Sequence, residues 1–144
     1  MHDERGFKRV ARWAMVALMV ASGVGHFAIT DVYAAMVPAS FPAPRLLVLL
    51  SGVAELAGGI GLVVPWPSLR RAAAIGIIAL LLAVFPANIN MAVNHISPPG
   101  MPMSSTALWA RLPLQALLIA WAWWLARVQR QGVPATKRSA ASAA

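Results

Sequence analysis

The sequence predicts an all-α fold, a four-transmembrane-helix bundle with both termini cytoplasmic. Three observations lead there. Hydrophobic residues make up 60% of the 144 positions and charged residues only 11%, whereas soluble domains run at roughly 45–50% and about 25%. Four apolar stretches each approach the roughly 20 residues that a helix needs to cross about 30 Å of hydrocarbon. Lys and Arg gather at the two ends and in one short turn. Backbone groups in hydrocarbon have to be paired within their own segment, so such spans are helices rather than open strands.

The first helix is expected over residues 10–29, "VARWAMVALMVASGVGHFAI". A basic start and an apolar core also suit a secretory leader. The run continues to Ile29, however, and no small-x-small cleavage site directly follows its core. "MVPASFPAPR" (Met36–Arg45) carries three prolines and ends that crossing. The second helix is expected over 46–64, "PWPSLRR" (Pro65–Arg71) is a tight turn, and the third helix is expected over 72–93. "NHISPPGMPMSST" (Asn94–Thr106) is a Pro/Gly-rich loop in which Thr106 is placed to cap the fourth helix, 107–126. Residues 1–128 thus form one transmembrane domain. The basic, Ala/Ser-rich tail, 129–144, is expected to be disordered.

Orientation follows from the cations. Arg5, Lys8, Arg9, Arg12, Arg70, Arg71, Arg127, Arg130, Lys137 and Arg138 all fall on one side, and the opposite loops offer only Arg45. By the positive-inside rule the basic side is cytoplasmic, with Trp13 and Trp124 near the inner interface and Trp109 near the outer one. The net charge of +8 is therefore read as a topology signal rather than a nucleic-acid footprint. The chain has no cysteine, so thiolate catalysis, disulfide exchange and cysteine-held metal are excluded within it.

Polar residues inside the spans are the candidates for function. Glu55 lies at the centre of the second helix, "LLVLLSGVAELAGGIGLVV". A charge at that depth costs roughly 2.5–3.5 kcal/mol on insertion scales. His26 with Ser22, Asn88 with Asn90, and Arg111 with Gln115 lie at comparable depth in the other three helices. The least costly arrangement turns them inward. Glu55 and Arg111 are expected to meet directly or through water, with His26, Asn88, Asn90 and Gln115 as hydrogen-bond partners. A neutral Glu55 and an ion pair both remain open. Small residues at spacing four (Ala17, Ala21, Gly25; Ser51, Glu55, Gly59; Ala79, Ala83) would let these faces pack closely. Pro86 is expected to free the carbonyl of Leu82. Pro113 either lies in the first turns of helix four or begins it.

The ordered series "GVGHF", "VPASFPAP", "LSGVAELAGGIGL", "FPANINMA" and "RLPLQALLIAWAWW" resembles the DoxX-like family of small bacterial membrane proteins over roughly Val10 to Arg127. The resemblance implies a four-helix bundle in the bacterial cytoplasmic (inner) membrane. It maps the family's recurrent polar positions onto His26, Glu55, Asn88, Arg111 and Gln115. It also implies an association, for some members, with quinone-linked membrane redox complexes.

Three functions follow as expectations. The first is a non-catalytic accessory or assembly factor, its partners being the lipid bilayer and another membrane protein or a second copy of itself. The second is an accessory subunit of a redox system that binds quinone or another small ligand in the polar cluster. The third is a small proton-coupled carrier, for which four helices without an inverted repeat are few. An enzyme acting alone is disfavoured, because the chain lacks a nucleophile–base arrangement or a cofactor motif. No cofactor is predicted, quinone being the candidate ligand. No metal is expected either, since His26 and His95 lack ligand spacing. The tryptophans Trp121, Trp123 and Trp124 read as lipid-facing.

Overall fold

The computed structural model describes residues 2–100 and 102–130. Its helices are α1 (His2–Ala28), α2 (Thr30–Ala34), α3 (Pro44–Gly61), α4 (Pro67–Val93) and α5 (Ser105–Arg130). No strand occurs among the described residues, so the fold is all-α. Three stretches, Gly6–Ala28, Pro44–Gly61 and Pro67–Val93, are long and apolar enough to cross a membrane. Helix α5 has similar length but is not among them; Arg111 and Gln115 lower its hydropathy.

Helices α1, α4 and α5 outrun the apolar stretches that mark them, whereas α3 stops at Gly61, three residues short of the expected 64. Helix α1 begins eight residues before Val10, and α5 continues through Gln129 and Arg130, which composition alone assigns to the tail. Hydropathy marks the stretch suited to hydrocarbon, whereas helical hydrogen bonding continues wherever the backbone allows. Residues 131–144 of that tail lie outside the described residues. Pro44 and Pro67 stand in the first turns of α3 and α4, where a missing N–H costs nothing. The cap of α5 is Ser104 rather than Thr106: the Ala107 amide donates to Ser104 Oγ at 3.2 Å. Pro113 lies well inside α5, which settles Arg111 on the helix.

The chain runs up and down. The starts of α1 and α4 and the ends of α3 and α5 share one end, the basic end. Helix α2 and residues 94–100 and 102–104 share the other, the loop end. The largest packing interfaces are α4 on α5 and α1 on α3, followed by α3 on α4, while α1 and α5 barely touch. The backbones of the diagonals α1–α4 and α3–α5 stay apart, and only side chains reach across between them.

Two buried clusters result. One fills the basic end, with Met15, Met19, Leu62, Ile77, Leu81 and Leu125. A smaller one, Met36, Met91, Ala92 and Leu108, closes the loop end. Glycine sets the close approaches. A methyl on Gly52 would sit 2.8 Å from His26 Cβ, and one on Gly23 would sit 2.9 Å from Leu56 Cγ, so α1 and α3 meet backbone to backbone. Gly58 admits Ile77 of α4 in the same way. The expected stripe Ala17–Ala21–Gly25 is not the packing face of α1. Ala17 and Ala21 are exposed, and Gly25 faces the Tyr33 hydroxyl. Ala79 and Ala83 are likewise exposed, and α4 packs through Ala74, Ile77 and Leu81 instead. Of the three clustered tryptophans, Trp121 and Trp124 pack against the basic-end core. Trp123 points outward, with Arg127 over its ring at 4.9 Å.

Candidate functional site

Between the two clusters lies a cavity of about 500 Å³. Its position follows from the packing. Met19, Leu81 and Leu118 of the basic-end cluster border it on one side, and Met36, Met91 and Tyr33 of the loop-end cluster on the other. Where both diagonals are apart, only side chains can fill the middle of a bundle, and here they do not. Much of the lining is aliphatic. The polar groups come from all four long helices: Ser22 and His26 from α1, Ser51 and Glu55 from α3, Asn88 from α4, Arg111 and Gln115 from α5.

The α1–α3 side is set by the close approach at Gly23 and Gly52. It brings His26 Nδ1 to 3.8 Å from Glu55 Oε2. That is longer than a hydrogen bond. Both atoms are buried, and neither has a hydrogen-bond partner. Ser22, one turn before His26, lines the same cavity. The His26 ring is held from behind by Tyr33, edge to face at 4.3 Å. Helix α2 supplies that tyrosine. Thr30 Oγ1 donates to the His26 carbonyl at 2.7 Å as the chain turns out of α1. Outside the cavity, Asp31 and Arg45 form an exposed ion pair that ties α2 to the start of α3.

The α4–α5 side is saturated. Asn88 Nδ2 donates to Gln115 Oε1 at 2.8 Å, and Gln115 Nε2 donates to the Leu81 carbonyl at 2.5 Å. Gln115 is 4% exposed. The carbonyl captured is therefore that of Leu81, one residue before the one expected from Pro86. Arg111 differs from both sides. Its guanidinium Nη1 reaches the thioether sulfurs of Met91 and Met103 at 4.0 and 3.7 Å, which are weak acceptors.

Five of the six residues singled out in the sequence line this one cavity: His26, Glu55, Asn88, Arg111 and Gln115. Asn90 is the exception. Two residues from Asn88 along a helix, it points to another face, where its Oδ1 accepts from Asn94 Nδ2 at 2.8 Å. The expected direct meeting of Glu55 and Arg111 also gives way: the group beside Glu55 is His26. Glu55 is eleven residues into α3 and Arg111 six into α5, so at 1.5 Å rise per residue Arg111 stands about 7.5 Å nearer the loop-end start of its own helix. The sequence reading missed Tyr33, Met91 and Met103, which are ordinary apolar or loop residues by pattern and gain their roles from the fold alone.

The arrangement defines an intramembrane-type pocket, apolar in bulk with convergent polar groups, the usual make-up of a small-molecule site. Residues 15–126 match the family described as a domain of unknown function, DUF8561, and the chain belongs to that family. No curated protein and no solved structure matches the chain.

Proposed function

We propose that this chain is a four-span integral protein of a bacterial inner membrane, both termini cytoplasmic, whose cavity binds a small hydrogen-bonding molecule on behalf of a membrane complex. The observation that carries this is the pair of unpartnered buried atoms, Glu55 Oε2 and His26 Nδ1, on the wall of a cavity of about 500 Å³. A bundle that serves only as a scaffold gains by filling its interior, since cavity volume costs roughly 24 cal/mol per Å³. An unsatisfied buried polar group costs about 1–3 kcal/mol more. A ligand that fills the cavity, donates to Glu55 Oε2 and pairs with His26 Nδ1 removes both costs. The ligand-binding accessory subunit is therefore preferred over a purely structural assembly factor, and the reduced, quinol form of a quinone, which carries hydroxyl donors, fits the required chemistry. The resemblance to DoxX-like proteins supports the same reading.

The test is purification from native membrane into lipid nanodiscs, followed by mass spectrometry of extracted small molecules. A molecule retained by the wild type and lost from Glu55→Gln and Arg111→Gln, with folding intact, supports the reading. Identical extracts from folded wild type and variants would overturn it.

A further inference from the structure

The cavity has a side. On α1, Phe7, Ala11 and Leu18 share one stripe, and on α5, Trp124, Trp121, Leu117 and Leu114 share another. At the basic end the two stripes meet, with the rings of Phe7 and Trp124 5.9 Å apart. Toward the loop end they diverge. Leu18 is 40% exposed and Leu114 is 56% exposed, and both also line the cavity. A side chain that faces an interior cavity and the outside at once marks a gap in the wall. Ala83 and Pro86 of α4 are also exposed and border the cavity, but α3 and α4 remain a packed pair whereas α1 and α5 barely touch, so the less closed wall lies between α1 and α5. The loop end is roofed by Val37, Pro38 and Phe41.

We infer that the ligand enters sideways from the hydrocarbon, between Leu18 and Leu114, and is a lipid-dissolved molecule with an uncharged hydrogen-bonding head and an aliphatic tail. This rests on the pocket reading above and adds the route and the ligand class. The head occupies the cavity, where Glu55 and His26 on one wall and Arg111 on the other supply its partners. The tail leaves through the seam, whose lips are leucines, and lies among the acyl chains. A charged or fully water-soluble ligand would face apolar side chains along this path and lose its hydration without replacement.

The test uses the full chain in phosphatidylcholine nanodiscs and two photoreactive probes, the methyl and dodecyl esters of 4-hydroxybenzoate with a ring diazirine. Saturable labelling of cavity residues is read by mass spectrometry. In Leu18→Trp/Leu114→Trp, which narrows the seam, dodecyl-ester labelling is expected to fall about tenfold or more while methyl-ester labelling changes less than about twofold. Labelling by both esters that is unchanged in that variant, or dodecyl labelling centred on Val37–Phe41, would overturn lateral entry and leave the pocket standing. Failure of both esters to label the wild type saturably would count against the pocket itself, and lateral entry with it.

Discussion

Gln115 shows how much depends on single side chains. It closes a chain from Asn88 through its own amide to the Leu81 carbonyl. Gln115→Leu removes both hydrogen bonds, leaving the part-buried Asn88 amide without its partner, and should destabilise the folded protein by about 1–3 kcal/mol. Asn90→Ala, on the outer face of the same helix as Asn88, should stay within about 0.5 kcal/mol. Denaturant titration in detergent compares the two. At this scale the sequence was informative about polarity and silent about geometry. The cost of burying a charge predicts that Glu55 turns inward, because that argument needs only depth. It does not predict whether the neighbour is Arg111 or His26, because that choice depends on the α1–α3 approach. Asn88 and Asn90 looked equivalent by depth, and helical phase separated them.

Among the elements, the glycines decide how close the helices come. Gly52→Ala places a methyl 2.8 Å from His26 Cβ, and is expected to cost about 1–3 kcal/mol by overpacking. Gly76 has nothing within 4 Å of its missing methyl and sits inside α4. Gly76→Ala should be stabilising by about 0.5–1 kcal/mol through helix propensity. Thermal unfolding of both variants in one detergent gives the opposed signs. Helix α4 ends in a Schellman turn: the Ile96 amide donates to the Met91 carbonyl at 3.0 Å, and His95 is left-handed with φ 52°. A side chain in that conformation is strained, so His95→Gly should raise stability by about 0.5–1 kcal/mol in the same assay. The long helices were legible because each apolar run approaches the length of a bilayer crossing. Their true ends were not, since Ser104 and the first turns of α1 are polar and carry no hydropathy signal. Helix α2 is five residues long and has no periodicity to read.

The whole molecule is a bundle packed at both ends around a cavity between them. Its proposed orientation is checked without background labelling, because the chain has no cysteine. Ser40→Cys should react with an impermeant maleimide added outside intact spheroplasts, and Ser68→Cys only after lysis. The reverse pattern would invert the topology. Nothing in the pattern of apolar residues forecasts the cavity, which arises from two diagonals that fail to close. It is also the claim on which the functional reading stands, and a thiol placed on its wall tests it most directly. Ser51 lines the cavity, whereas Ala74 is 0% exposed within the packed cluster. The rate of modification by benzyl methanethiosulfonate is measured for Ser51→Cys and Ala74→Cys in nanodiscs. With an open cavity the first reacts at least about a hundredfold faster, as an accessible site does beside one that reacts only on local unfolding. Equal, slow rates at both positions would mean a solid interior and would contradict it.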